Sequence, residues 1–109
     1  MLAFPSVSLY ASPEQVFLGV KYVDPDNADP EHRLPVARPT IMQEEHILYF
    51  SNLGYDMALI LVDDEGNDVY STIVPVGSTS VMLPSTLNGS YELRLYPGGS
   101  FYFFSDIIL

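Results

Sequence analysis

The second half of the chain is a series of short runs rich in apolar, β-branched and aromatic residues, and one of them, residues 91–96, alternates apolar and polar with the period of two that a strand with one buried face requires. His46-Ile47-Leu48-Tyr49-Phe50, residues 68–74, residues 79–83 and Tyr91-Glu92-Leu93-Arg94-Leu95-Tyr96 all read as strands. Thr40-Ile41-Met42 predicts a shorter one, with a turn over Gln43-Glu44-Glu45. Residues 56–62 are apolar almost without interruption, which predicts a central strand buried on both faces. Asp63-Asp64-Glu65-Gly66-Asn67 then closes a hairpin, with Gly66 supplying a positive φ. Gly and Pro punctuate the chain about every 8–12 residues, the spacing of short strands in a sandwich or barrel. No stretch of ten residues carries a helical period, so essentially no helix is predicted.

One motif turns these strands into an architecture. Leu87-Asn88-Gly89-Ser90-Tyr91 runs directly into the alternating strand at 91–96. Leu-x-Gly-x-Tyr at that position is the pattern of a tyrosine corner, whose hydroxyl bonds back to backbone just upstream where the chain passes between facing sheets. Leu87, Gly89 and Tyr91 therefore predict an all-β, Greek-key β-sandwich of about seven strands. Its length of 109 residues suits one domain. The body is expected over residues 39–109, with 1–38 an extended segment packing on it.

That segment has a different texture, with Pro5, Pro13, Pro25, Pro30 and Pro35 spread along it. Residues 6–10 predict an edge strand. Residues 16–23 predict a better one, in which Gly19 marks a bulge or a close backbone approach. Residues 24–32 read as a loop, and 33–39 as extended and polyproline-like. At the other end, parity decides which residues of the last hairpin face inward. Tyr91, Leu93 and Leu95 point in, as do Phe101, Phe103 and Ile107. A three-residue loop, Pro97-Gly98-Gly99, would preserve that parity by pairing Leu95 with Phe101 and Leu93 with Phe103. Arg94, Tyr96, Tyr102 and Phe104 then gather on the outer face, and the terminal Ile107-Ile108-Leu109 docks.

The order of signals from residue 33 to 109 resembles a family of small secreted β-sandwich proteins of gut bacteria, catalogued as a domain of unknown function. The matching residues are Leu34-Pro35, Pro39, Ile47-Leu48-Tyr49-Phe50, the Leu61-Val62-Asp63-Asp64-Glu65-Gly66 hairpin and Val69-Tyr70. Leu83-Pro84, Leu87-x-Gly89-x-Tyr91 and the aromatic last strand complete the set. The resemblance implies an immunoglobulin-like fold and a secreted, periplasmic or cell-surface location, with no established activity. C-terminal sorting domains share the pattern but end in a basic stretch, whereas this chain ends Ser105-Asp106-Ile107-Ile108-Leu109.

Charge narrows the partners. Fourteen acidic residues stand against four basic ones, Lys21, Arg33, Arg38 and Arg94, for a net charge of −10. Such a field repels phosphate backbones and anionic lipid, which argues against nucleic acid and membrane surfaces. No apolar run is long enough to cross a bilayer, and the start, Met1-Leu2-Ala3-Phe4, lacks the basic region of a signal peptide. With no Cys, disulfides and thiolate metal sites are excluded.

Chemistry is sparse. Asp24, Asp26, Asp29 and Glu31 lie close in sequence but lack the Gly and fifth-position ligand of a calcium loop, so they read as a solvated acidic loop. Asp63-Asp64-Glu65 with Asp68 reads as an acidic hairpin tip. His32 and His46 are too few and too far apart for zinc. No Ser sits on a nucleophile elbow, and no cofactor or metal is expected. Asn88-Gly89-Ser90 matches a glycosylation acceptor but is explained by the turn.

The expected function is a non-catalytic binding or interaction module, its partner another protein or a glycan. Arg94, Tyr96, Tyr102 and Phe104 are the candidate binding residues. The alternatives are an inhibitor of a secreted protease, presenting 24–32 or 76–79, and a carbohydrate-binding accessory domain.

Overall fold

The computed structural model describes residues 13–23 and 37–109. They form nine strands: β1 (Glu14–Val16), β2 (Gly19–Tyr22), β3 (Thr40–Glu44), β4 (Ile47–Ser51), β5 (Met57–Val62), β6 (Asp68–Val74), β7 (Ser80–Met82), β8 (Ser90–Tyr96) and β9 (Phe101–Ile108). One sheet has the order β1-β3-β4-β7 and the other β2-β9-β8-β5-β6, and every pairing is antiparallel. No helix occurs among the described residues. The expected strand at 6–10 and the loop at 24–32 lie outside them, as does most of the extension at 33–39.

The count is nine strands rather than about seven, and the reason lies in residues 14–22. The single strand expected over 16–23 is instead the end of one strand and the whole of another, because the chain leaves one sheet at Val16 and joins the other at Gly19. β1 adds to the edge of β3, and β2 to the edge of β9. Val16 and Leu18 are buried on either side of the crossing. Alternation reports which side chains face inward; it cannot report which sheet each half of a stretch extends. The remaining seven strands, β3 to β9, come from residues 40–108.

Between the sheets lies the core. Leu59, Leu61, Leu93, Leu95 and Phe103 from the five-stranded sheet are fully buried, as are Ile41 and Leu48 from the four-stranded sheet. Phe101 and Phe103 meet edge to face with centroids 5.5 Å apart, a favoured aromatic geometry. β5 sits between β8 and β6 and so is central as expected, but it is fully buried on its inner face only, not on both. Its inner residues Met57, Leu59 and Leu61 are buried, and Ala58 and Ile60 on the outer side are half-buried.

Around Tyr91 the chain is held at several points. Its hydroxyl donates to the Asn88 carbonyl at 3.1 Å. Gly89, at φ 113°, exchanges two backbone hydrogen bonds with Leu109, so the chain end is tied to the corner. His46 Nε2 donates to the Leu87 carbonyl at 2.8 Å, linking the β3–β4 turn to the same loop. That turn is Glu45-His46, two residues later than Gln43, because Gln43 and Glu44 belong to β3.

The last hairpin keeps its predicted faces but not its predicted register. Leu95 lies opposite Phe103, and Leu93 opposite Ser105, two residues further along β9 than expected. A slip of two preserves every inside and outside assignment, so parity could not detect it. Continuing the observed register sets Tyr96 beside Tyr102, whose ring centroids are 4.8 Å apart. The expected register would have placed Tyr96 against Ser100 and forfeited that cross-strand aromatic pair.

At the β5–β6 turn, Asp63 acts as a backbone acceptor. Its Oδ1 takes the Glu65 amide at 2.9 Å and the Asn67 amide at 2.8 Å. The Asn67 amide, aided by Glu65, holds the Asp63 carboxyl below the usual carboxylate range. The folded carboxyl is thus harder to protonate than the unfolded one, at about 3.9. Its support for the turn is complete above that value and disappears as pH falls through the lower folded one. Hydrogen exchange of the Asn67 amide should accelerate in this acid window relative to β8 amides, and Asp63→Ala should abolish the difference.

Core and corner should separate in magnitude. Leu93→Ala is expected to cost about 2–5 kcal/mol, as a buried leucine truncation does. Tyr91→Phe, which removes one hydrogen bond, should cost about 0.5–1.5 kcal/mol. Urea unfolding of the two variants measures both.

Candidate binding face on the five-stranded sheet

Every second residue of the five-stranded sheet points away from the core, and side by side these residues make two rows. One runs Ile73, Ala58, Tyr96 and, on the far strands, Tyr102 and Lys21. The next runs Ser71, Ile60, Arg94, Phe104 and Gly19. The four residues singled out from the sequence, Arg94, Tyr96, Tyr102 and Phe104, occupy the middle of this face. Alternation placed them together because both strands are long and their polar residues unambiguous. Ile60 and Ala58 were hidden by the continuous apolar run of β5, and Ile73 and Lys21 by the absence of any local signal for which strands lie adjacent.

Arg94 organises the cluster. Its Nε donates to Glu92 Oε2 at 2.6 Å, and its guanidinium carbon lies 5.1 Å from the centre of the Tyr102 ring. The hydrogen bond to Glu92 raises the Arg94 pKa above its already high ordinary value, so the side chain stays cationic throughout the working range. That cation has a second role. Glu92 lies directly opposite Asp106 across the strands, a like-charge pair that Arg94 partly neutralises.

Tyr102 is the most enclosed of the four, with 7% of its surface exposed although it sits on an outer face. Tyr96 packs on one side at 4.8 Å, and Phe104 approaches at 6.4 Å with its plane turned by 68°. Phe104 in turn lies over the backbone of Gly19, to which it is directly opposed. A Cβ on Gly19 would come within 2.7 Å of the Phe104 ring, so the glycine in this strand answers a close approach by an aromatic side chain. The rim is more open: Ile73 is 65% exposed, and Lys21 is exposed beside Tyr102.

Other candidate chemistry is dispersed. The Asp63 carboxylate is committed to its own turn, and His46 to the Leu87 carbonyl. Asp24, Asp26, Asp29, Glu31 and His32 lie outside the described residues. Among the described residues no group of three or more His, Asp or Glu is arranged to hold a metal, and no polar or charged side chain is buried. The loop after β6 is curled. Ser78 N donates to the Pro75 carbonyl at 3.1 Å, Gly77 sits at φ 82°, Gly77 N bonds Leu53 O, and Val76 N bonds Asp56 Oδ1. This is a glycine-dependent tight turn rather than extended backbone.

No family model matches the sequence, and no curated protein does. Among solved structures, the fold is similar to that of a DUF3244-family protein from Bacteroides vulgatus, described as an immunoglobulin-like β-sandwich. The TM-score is 0.54 at 17% sequence identity, over 88% of this chain and 99% of the other. The chain therefore has an immunoglobulin-like sandwich fold, and this structural neighbour belongs to a domain-of-unknown-function family, as the signals from 33 to 109 suggest.

The Gly19–Phe104 contact is open to a direct check. Gly19→Ala should destabilise the fold by about 1–3 kcal/mol through overpacking. In a Phe104→Ala background the same substitution should be neutral or slightly stabilising, which a double-mutant cycle by chemical denaturation would show.

Proposed function

We propose that the protein is a non-catalytic interaction module, exported to the periplasm or cell surface, that engages another protein through the outer face of its five-stranded sheet. The observation that carries this reading is the composition of that face. Ile73, Ala58, Ile60, Tyr96 and Phe104 form a broad, shallow apolar surface, with Lys21 and Arg94 supplying two of the chain's four basic residues. Aromatic residues and arginine on a flat surface are the usual anchors of protein contacts. Export rests on the family resemblance of residues 33–109.

A carbohydrate platform is supported less well. Stacking on a sugar needs an open ring face, and Tyr102, at the centre of the cluster, is nearly closed off by its neighbours. A protease inhibitor needs extended, exposed backbone, and the 76–79 candidate is a hydrogen-bonded turn. The other candidate loop, 24–32, lies outside the described residues.

A photoreactive residue replacing Ile73 should give a discrete adduct with one protein from the native source. Adding Tyr96→Asp should abolish it, and the same probe at Val76, away from this face, should give none. Equal adducts at both positions would overturn the reading. Saturable glycan-array binding lost on Tyr96→Ala and Phe104→Ala would replace it with the carbohydrate one.

A further inference from the structure

A different surface lies at the far end of β9. The β2–β9 ladder stops at Gly19 opposite Phe104, because the chain then crosses to the other sheet through Leu18 and Phe17. β9 continues for four more residues, to Ile108, with no strand beside it on that side among the described residues. In an antiparallel strand alternate residues aim both backbone groups to the same side. The Ser100 carbonyl accepts from Val23 N, so Ser100, Tyr102, Phe104, Asp106 and Ile108 face the β2 side. Leu109, of the other parity, bonds Gly89 on the opposite side. The Asp106 amide and carbonyl are thus directed to the side on which no described strand lies. Gln43 reaches across to donate from Nε2 to the Ile108 carbonyl at 2.8 Å, a side chain doing there what a neighbouring strand would do.

That edge borders a groove of about 480 Å³ whose lining includes Glu14, Val16, Phe17, Glu45, Asp106 and Ile108. Phe17 and Ile108 are 75% and 73% exposed, so apolar side chains flank the bare backbone. The three charges in the lining are all negative.

We propose that this edge docks an extended cationic peptide segment, which adds as a strand beside residues 105–108. Backbone hydrogen bonds to Asp106 provide the pairing, Phe17 and Ile108 receive apolar side chains, and Glu14, Glu45 and Asp106 select lysine or arginine at alternating positions. The same carboxylates argue against a second copy, which would bring an identical acidic edge and a net charge of −10.

The probe is a fluorescent, end-blocked Lys-Val-Lys-Val-Lys-Val peptide, with binding followed by anisotropy. Saturable binding is expected, weakening with salt. N-methylation of alternate amides, which keeps side chains and charge but removes donors, should reduce affinity at least ten-fold. Ile108→Lys should do the same, since that side chain is exposed and its replacement leaves the core untouched. Hydrogen exchange at Asp106 should slow on binding. Equal binding of the N-methylated peptide, no saturable binding, or protection located elsewhere would overturn the proposal. So would a concentration-dependent dimer lost in Ile108→Lys, which would assign the edge to a second copy.

Discussion

Each sheet of this molecule has one apolar face that is stable only when the other sheet covers it. Phe103, Leu93, Leu95, Leu59 and Leu61 meet Ile41 and Leu48 across a core without buried charge among the described residues. Because side chains alternate along a strand, that burial dictates the outward set as firmly as the inward one. Arg94, Tyr96, Tyr102 and Phe104 share an outer face as a consequence of Leu93, Leu95, Phe101 and Phe103 being buried. A shift of one residue would exchange the two sets, placing the Arg94 charge in the core if it occurred in β8 and the Asp106 charge if in β9, at a cost far above the marginal stability of such a domain.

The edges impose a second constraint. A sandwich of separate sheets leaves unpaired backbone at its margins, and an exposed edge invites unwanted association. Residues 14–22 meet part of this need by lending one short strand to each sheet, β1 to β3 and β2 to β9. The Gln43 side chain caps one more carbonyl, and Gly89 ties down the terminal Leu109. Among the described residues the part of β9 that runs beyond β2, around Asp106, is short and acidic. Both properties disfavour pairing between like copies and leave the edge suited to an oppositely charged strand.

Charge is distributed unevenly over the two surfaces that remain. Lys21 and Arg94 lie on the aromatic face, where Arg94 is held between Glu92 and the Tyr102 ring. The groove beside β9 is lined by Glu14, Glu45 and Asp106. In a protein of net charge −10, a face with local cations selects partners differently from a groove with none. The face suits a broad apolar contact, and the groove a narrow basic segment.

Inside and outside were legible in the sequence wherever a strand alternates cleanly. Leu93 and Leu95 against Arg94 and Tyr96 is such a case, and the Leu87-Gly89-Tyr91 spacing before them marked the passage between sheets. The two-layer all-β architecture and the gathering of the four outer residues follow from those local patterns, because a period of two is a property of a single strand. Three features were decided only by the tertiary structure: the splitting of 14–22 between sheets, the Leu95–Phe103 register, and the adjacency of Ile73, Ile60 and Lys21 to the aromatic cluster. Each depends on which strand lies beside which and at what offset. Those are relations between distant segments, and slips of two residues or a change of sheet leave the alternation of each segment unaltered.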